Sequence, residues 1–368
     1  MKFNPGEPYN DLPLLPPGTD VETKAVLKRL TAARASLAEL KGSAAMIPNP
    51  LMLINTIVLQ EAKASSEIEN IFTTNDMLYK AFSMGPTTDL AAKEVLRYRE
   101  ALWNGYNHLE NEKKFSTELF IRIARTIKED VPGIRKLDPE SRVVIGNAAK
   151  KHIIYTPPEG EQVILKQLEN LKDFMNIQGT GVDPLIKMAI AHYQFEAIHP
   201  FADGNGRTGR ILNILYLVNK NLLDLPILFL SKYIIEHKAD YYRLLKEVTE
   251  DQEWEAWLIF ILDAVRETSS HTLHKILAIK SLLDDTIEQI KKDHPQIYSR
   301  ELVDVLFMQP YCKISHLVDN QIATRNTASK YLNTLAGAGI LEKQKSGRET
   351  LYLNIKLYDV LGNYDVER

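Results

Sequence analysis

One cysteine, Cys312, is found among 368 residues. A single thiol excludes an internal disulfide and any cysteine metal cluster, and it fits a reducing, cytoplasmic location. Long apolar runs are also missing. A membrane-spanning helix needs roughly 18 or more apolar residues in a row. The best stretch, residues 211–230, is broken by Asn213, Asn219, Lys220, Asn221 and Asp224. Residues 1–10 are polar and proline-bearing, without the apolar core of a secretory signal, so no membrane partner is expected. Neither sign of charge dominates: 45 basic against 48 acidic residues leave a formal net charge of −3. That balance excludes a protein whose whole surface serves nucleic acid, though not a local basic patch. No internal repeat or low-complexity tract interrupts the chain. Its length suffices for two or three domains with at least one sizeable core.

Residues 1–19 hold Pro5, Pro8, Pro13, Pro16 and Pro17 and read as an extended arm laid on the surface. Helical periodicity then begins. Asp20 is the expected N-cap, and Val26, Leu30, Ala33, Leu37 and Leu40 form one stripe up to Gly42. Further helices are expected over about 51–71, 90–109 and 117–128. Asp183-Pro184 starts another, with Ile186, Ile190, Tyr193 and Ala197 on one face, and Pro200 ends it near His199. Residues 211–218 are apolar nearly all round, as a helix at the centre of a bundle would be. Later helices fall at about 231–236, 239–248, 253–267 and 273–291.

Residues 142–156 differ. Val143, Val144 and Ile145 precede Gly146-Asn147, and His152 to Tyr155 follow, so a β-hairpin is expected, either a surface excursion or a flap over a site. The last seventy residues read as three helices and a hairpin turning at Ser346-Gly347, the pattern of a winged helix. The fold class is mainly α, with a β-hairpin flap and a C-terminal winged-helix domain. The expected division is 1–112, an arm and helical region; 113–270, a core; 271–296, a linking helix; and 297–368, the winged helix.

One loop concentrates the chemistry: His199-Pro200-Phe201-Ala202-Asp203-Gly204-Asn205-Gly206-Arg207-Thr208-Gly209-Arg210. Gly204, Gly206 and Gly209 let backbone amides approach a ligand, at a helix start where unpaired amides and the dipole favour anions. Arg207 and Arg210 share a helix face. Two cations in a first turn oppose the dipole by roughly 0.3–1 kcal/mol each, which makes sense if a polyanion such as a triphosphate sits there. Asp203 suits a Mg²⁺ bridging phosphate oxygens, His199 suits a base near neutrality, and Asn205 offers an amide. Phe201 reads as an apolar anchor.

This loop resembles the Fic family signature at every fixed position, with Ala202, Thr208 and Gly209 at its free positions. The resemblance implies a Fic-fold core and a protein adenylyltransferase, which moves AMP from ATP to a Ser, Thr or Tyr hydroxyl of a protein target, the chain itself included. It implies that His199 takes the hydroxyl proton and that Asp203 holds Mg²⁺. It further implies that Gly204, Asn205, Gly206 and Arg207 hold the α- and β-phosphates, with Thr208 and Gly209 in the same ATP-binding loop, and Arg210 the γ-phosphate. Gly206, where kinase-like relatives carry lysine, favours AMP transfer. The hairpin resembles the flap that aligns a target segment by strand-like pairing.

Upstream, Ser65-Ser66-Glu67-Ile68-Glu69-Asn70 resembles the family's inhibitory motif, with Ser65, Glu69 and Asn70 at its fixed positions. The implication is a Glu69–Arg210 pair that keeps the γ-phosphate from its productive place. Tyr242, in Asp240-Tyr241-Tyr242-Arg243, resembles a tyrosine that lines the nucleotide pocket. Relatives often dimerise, so a homodimer stays open. Two other readings remain. One is a DNA-binding regulator with the Fic core as nucleotide sensor, on the basic residues Arg325, Lys330, Lys343, Lys345 and Arg348; the winged helix could equally dock a protein. The other is transfer of a different nucleotide or phosphate-linked group through the same loop.

Overall fold

The computed structural model of the protein describes residues 3–47, 49–85, 87–136, 142–147, 152–179, 181–347 and 349–362. The expected Arg348 of the wing and the tip of the 142–156 hairpin lie outside them. Fifteen helices and five short strands form among the described residues, and none of those helices is long and apolar enough to cross a membrane.

The proline-rich arm is built in rather than laid on. Leu12 and Leu15 are buried, Asn170 clamps the Leu15 backbone from both sides at 2.8 and 3.0 Å, and Gln194 donates to the Pro13 carbonyl at 2.9 Å. Without helix or sheet partners, a buried arm must borrow hydrogen bonds from side chains. α1 (Lys24–Ala44) starts later than expected. Thr23, not Asp20, caps it, accepting from the Val26 amide at 3.3 Å, while Asp20 accepts from Glu22 in the turn before.

α1 packs along α11 (Trp254–Asp293), one helix of 40 residues where two were expected. The Thr-Ser-Ser-His-Thr run at 268–272 reads as a break, but Thr268, Ser269 and Thr272 are buried, and the Thr268 hydroxyl returns a hydrogen bond to the Ala264 carbonyl at 2.6 Å. Tertiary burial overrides the weak propensity of these residues. α11 therefore runs through the expected 270/271 boundary.

α2 (Pro50–Ile68) is capped by Asn49, and α3 (Asn75–Met84) by Thr74. α4 (Leu90–Glu112) and α5 (Thr117–Ile127) follow, then β1 (Ile145–Asn147) and β2 (His152–Tyr155), which pair antiparallel with Gly146 opposite Ile153. A Cβ on Gly146 would fall 2.2 Å from the His152 carbonyl, so the close crossing needs glycine. α3 and the next helix, α6 (Glu161–Asn176), have no counterpart in the expected elements.

α7 (Pro184–Ile198) and α8 (Asn205–Asn219) form the centre. α8 is buried from Arg207 to Val218, as its composition requires. α7 is not one-faced as expected: from Leu185 to Ile198 only Glu196 escapes full burial. α9 (Leu230–Glu236) and α10 (Lys238–Asp251) close this half.

The C-terminal part comprises α12 (Arg300–Phe307), β3 (Tyr311–Cys312), α13 (Ile314–Asp319), α14 (Arg325–Gly337), β4 (Glu342–Ser346) and β5 (Glu349–Leu353). The strands make one antiparallel sheet in the order β3-β5-β4, three helices and a hairpin in winged-helix order. An unexpected α15 (Ile355–Gly362) buries Leu357 and Leu361. This part is not separate from the rest. The Ser83 hydroxyl of α3 donates to the Tyr311 carbonyl at 3.1 Å, Gln60 of α2 donates to the Leu361 carbonyl, and Tyr79 meets Tyr358 edge-on.

Candidate active site

The loop between α7 and α8 holds its shape through its own side chains. Asn205 accepts from the Phe201 amide and donates to the Phe201 carbonyl, both at 2.8 Å. Its amide therefore closes the loop. Phe201 is fully buried, as an anchor should be. Gly204 takes a left-handed φ of 81° at the N-cap of α8, which glycine adopts without strain.

His199 caps α7 in the left-handed region at φ 48°, a conformation costly enough in a non-glycine residue to need outside support. Arg135 provides it, donating to the His199 carbonyl at 2.8 Å, and its amide donates to the Pro200 carbonyl at 2.9 Å. The same guanidinium reaches the Pro158 carbonyl beyond the hairpin at 3.0 Å. Burial, and then the Arg135 charge, push the His199 imidazole down to about 4. The ring is thus a neutral base at physiological pH, and its Nδ1 makes no hydrogen bond of good geometry.

The hairpin is tied to the end of α7, just before His199. The Tyr155 hydroxyl donates to the Ala197 carbonyl at 2.7 Å, two residues before His199, while Ile153 and Ile154 remain well exposed.

Arg207 and Arg210 are each 1% exposed, so both guanidinium groups need counter-charge inside the protein. Arg207 donates to Glu94 of α4 at 2.7 Å. Lys128 joins Glu94 and Asp203, at 3.1 Å to each. Burial opposes ionisation of Asp203, but Lys128 and Arg207 hold its carboxyl below the ordinary range. Asp203 stays half-exposed at the loop mouth. One carboxylate open to solvent suits Mg²⁺, which keeps waters and takes its remaining ligands from phosphates.

Arg210 meets the upstream motif. Its Nη2 donates to the Glu69 carboxylate at 2.7 Å and to the Ser65 carbonyl at 2.9 Å, and its Nε donates to the Ser65 hydroxyl at 2.8 Å. Burial opposes the charge on Glu69, yet Arg210 holds its carboxyl below the usual value. α2 delivers this geometry because it stops at the right residue. Asn70 adopts φ 62°, and the Ile71 amide returns to the Ser66 carbonyl at 3.0 Å, a Schellman end that leaves Glu69 in the last turn. A Cβ on Gly206 would lie 2.2 Å from Glu69 Oε1. The glycine keeps open the space that this carboxylate fills.

Several residues of the site lie beyond the motifs. Glu61, one turn before Ser65, accepts from Tyr98 at 3.0 Å and from the Ser231 amide and hydroxyl at 2.8 and 2.5 Å, pinning α2 to α4 and α9. Arg135, Glu94 and Lys128 carry no local signal, since their partners lie on distant elements. Only Glu61 was within reach of pattern reading, by its i, i+4 spacing to Ser65 and Glu69. Tyr242 is half-exposed at the rim, against Tyr241, whose hydroxyl meets His192 Nε2 at 2.9 Å. Thr208 is buried within α8, and Gly209 faces the Glu196 carboxyl.

Three family profiles match in succession. The Fic/DOC family N-terminal profile matches residues 27–107, the Fic/DOC family profile residues 114–217, and the C-terminal domain profile of SoFic-like protein adenylyltransferases residues 282–357. The protein adenylyltransferase fic-1 of Caenorhabditis briggsae is 37% identical over 89 residues, 24% of this chain and 16% of the relative. A probable protein adenylyltransferase of Aquifex aeolicus is 30% identical over 189 residues, 49% of this chain and 54% of the relative. These matches thus span about a sixth to about a half of the relatives' own length. Among solved structures, a Fic family protein from Desulfovibrio desulfuricans shares the fold at a TM-score of 0.55 and 19% identity, over 92% of this chain and 98% of that one. Fic-1 of Caenorhabditis elegans does so at 0.52 and 20%, over 70% and 74%. The matched profiles run in order along most of the chain and the central one contains the whole loop, so the chain belongs to the Fic/DOC family.

Proposed function

We propose that this chain moves AMP from ATP to a Ser, Thr or Tyr hydroxyl of a protein target, and that Glu69 holds the activity down at rest. One observation carries the reading. A carboxylate already fills the cradle over Gly206 and pairs with Arg210 at 2.7 Å, so the cradle takes anions and Arg210 has a partner that a triphosphate must displace. The names of the relatives, protein adenylyltransferases, support the same activity.

With Glu69 withdrawn, the amides at the start of α8 and Arg207 would take the α- and β-phosphates, and Arg210 the γ-phosphate. Asp203 would hold Mg²⁺, which neutralises charge on the phosphates when bound. A target segment pairing with the exposed hairpin would bring its hydroxyl to His199. The neutral imidazole accepts the hydroxyl proton as the oxygen bonds to the α-phosphorus. The bond to the bridging oxygen breaks, and pyrophosphate leaves. The test is incubation with ATP labelled on the α-phosphate. Glu69→Gly is expected to label protein more strongly than wild type and His199→Ala not at all; equal labelling in all three overturns the reading.

A second reading concerns the C-terminal module. Arg325, Lys330, Lys343 and Lys345 are exposed, and among the described residues no ion pair to a carboxylate is formed by any of them. Such a face suits duplex DNA. Binding that weakens steeply with salt is expected, and binding that stays flat across salt discards it.

A further inference from the structure

The residue least explained by this scheme is Glu196. It lies on α7, three residues before His199, with its side chain only 12% exposed. Its Oε1 is buried and has no hydrogen-bond partner. A Cβ on Gly209 would fall 2.3 Å from that oxygen, so the α7–α8 seam is open at Gly209 for this carboxyl and closed to any larger residue there. A buried, unsatisfied carboxyl is costly and calls for a reason.

The groups around it supply one. From α7, His192 Nδ1 stands 4.0 Å from Oε1. From α8 comes Arg210, from the end of α2 Glu69, and from α10 Tyr241 and Tyr242. Burial holds His192 neutral, near 3, so Arg210 is the one fixed cation of the set. Three carboxylates bear on Arg210: Glu61, Glu69 and Glu196. Glu61 is already saturated by Tyr98 and Ser231. When Glu69 departs, a guanidinium 1% exposed to water keeps its two hydrogen bonds to Ser65 but has no carboxylate bonded to it, and Glu196, with its unpartnered Oε1, is the remaining unsaturated carboxyl whose charge it feels.

We propose that Glu196 is a positioning residue that becomes the counter-ion of Arg210 once Glu69 has moved away, holding the guanidinium in the cradle until a triphosphate takes it. The inference rests on Glu69 being the resting partner that nucleotide displaces. It carries a proton with it. With Glu69 in place, burial above all pushes the Glu196 carboxyl up to about 8, with Arg210 opposing and Glu69 adding to the rise, so it keeps its proton at neutrality. Loss of the Glu69 charge favours ionisation, and the proton goes to water. Arrival of the triphosphate restores a neighbouring negative charge, and Glu196 takes a proton back from water.

Calorimetry tests this with α,β-methylene-ATP and Mg²⁺ at pH 8, in buffers of low and high ionisation enthalpy, on wild type, Glu69→Gly and Glu69→Gly/Glu196→Gln. The Glu69→Gly protein is expected to take up a fraction of a proton on binding, and its affinity to fall as pH rises toward about 8, the value Glu196 has with a negative charge beside it. The double variant is expected to take up none and to bind several-fold more tightly, with a flat pH profile. Identical proton uptake and affinity in the two variants overturn the role of Glu196. Failure of Glu69→Gly to bind more tightly than wild type overturns instead the inhibitory reading beneath it. Should glutamine at 196 not fold, Glu69→Gly combined with Glu196→Ala answers the same question.

Discussion

In the seam between α2 and α8, Arg210 is 1% exposed and holds three hydrogen bonds to Ser65 and Glu69. On the C-terminal module, Arg325, Lys330, Lys343 and Lys345 stand in water, and among the described residues the side-chain polar contact made by these four is from Lys343 to Asn333 at 2.9 Å. Both regions are cationic, yet they obey different rules. Inside the seam water cannot stand in for a lost partner, so each partner counts in full. On the module water can, so each charge is a small and adjustable contribution to a field.

The hardest break in this contrast is His199→Ala in the Glu69→Gly background. Loss of the base is expected to lower AMP transfer by about 10²- to 10⁴-fold with the fold intact, read by label incorporation alongside the melting midpoint. Next is Glu69→Gly alone, expected to raise transfer by roughly 10- to 100-fold, the size of a typical coupling between a regulatory contact and a site. It should also lower the melting midpoint, because Arg210 loses its carboxylate, and ATP should restore part of the loss.

Glu61→Gln sharpens the comparison by leaving the hydrogen bonds of Arg210 in place. Three donors point at that carboxylate, and an amide group cannot accept from all of them. A loss of about 1–3 kcal/mol is expected in denaturant unfolding, with a partial rise in labelling as α2 loosens. An unchanged midpoint would show that α2 is held by its apolar face alone.

The pH dependence follows from His199. An unperturbed histidine titrates near 6.5, and a base with that value would lose about tenfold of its active form at pH 5.5. With its folded value near 4, transfer by Glu69→Gly is expected to be nearly equal at pH 5.5 and 7.5. Stability follows the same groups. The unfolded chain protonates its histidines near 6.5, whereas folded His199 and His192 do so only near 4 and 3. Their contribution is therefore full above about 6.5 and falls as pH drops toward 4. Glu196 acts oppositely: its contribution is full at acid pH and is lost as pH rises through about 8. Melting midpoints from pH 4.5 to 9 follow both slopes.

The smallest effect is expected on the exposed module. Lys330→Ala and Lys343→Ala should each change stability by less than about 0.5 kcal/mol and leave AMP transfer unaltered. A large effect of either on labelling would join the two regions and end the contrast.

The twelve-residue loop was legible because its function demands a contiguous set of unlike residues that no core requires, and its helices because their apolar spacing is local. Phe201 as anchor, the buried α8 and the 142–156 hairpin were read the same way. Of the missed helices, α3 and α15 are short, but α6 was open to reading, since Ile164, Leu168 and Leu171 keep helical spacing; α11 was split because a buried serine and threonine run looks like a loop when burial is unknown. Arg135, Lys128 and Glu94 support the loop from elements far away in sequence, where no spacing rule reaches.

By itself, then, the sequence determined which residues could bind an anion and accept a proton, since these follow from side-chain chemistry and short-range spacing. The pairing of Glu69 with Arg210 entered as an implication of resemblance and became geometry only when α2 ended at Asn70 against α8. What the tertiary structure alone decided is which groups surround Arg210. Glu69, Ser65 and Glu196 come from two helices more than a hundred residues apart, and only packing that shuts out water makes their charges felt.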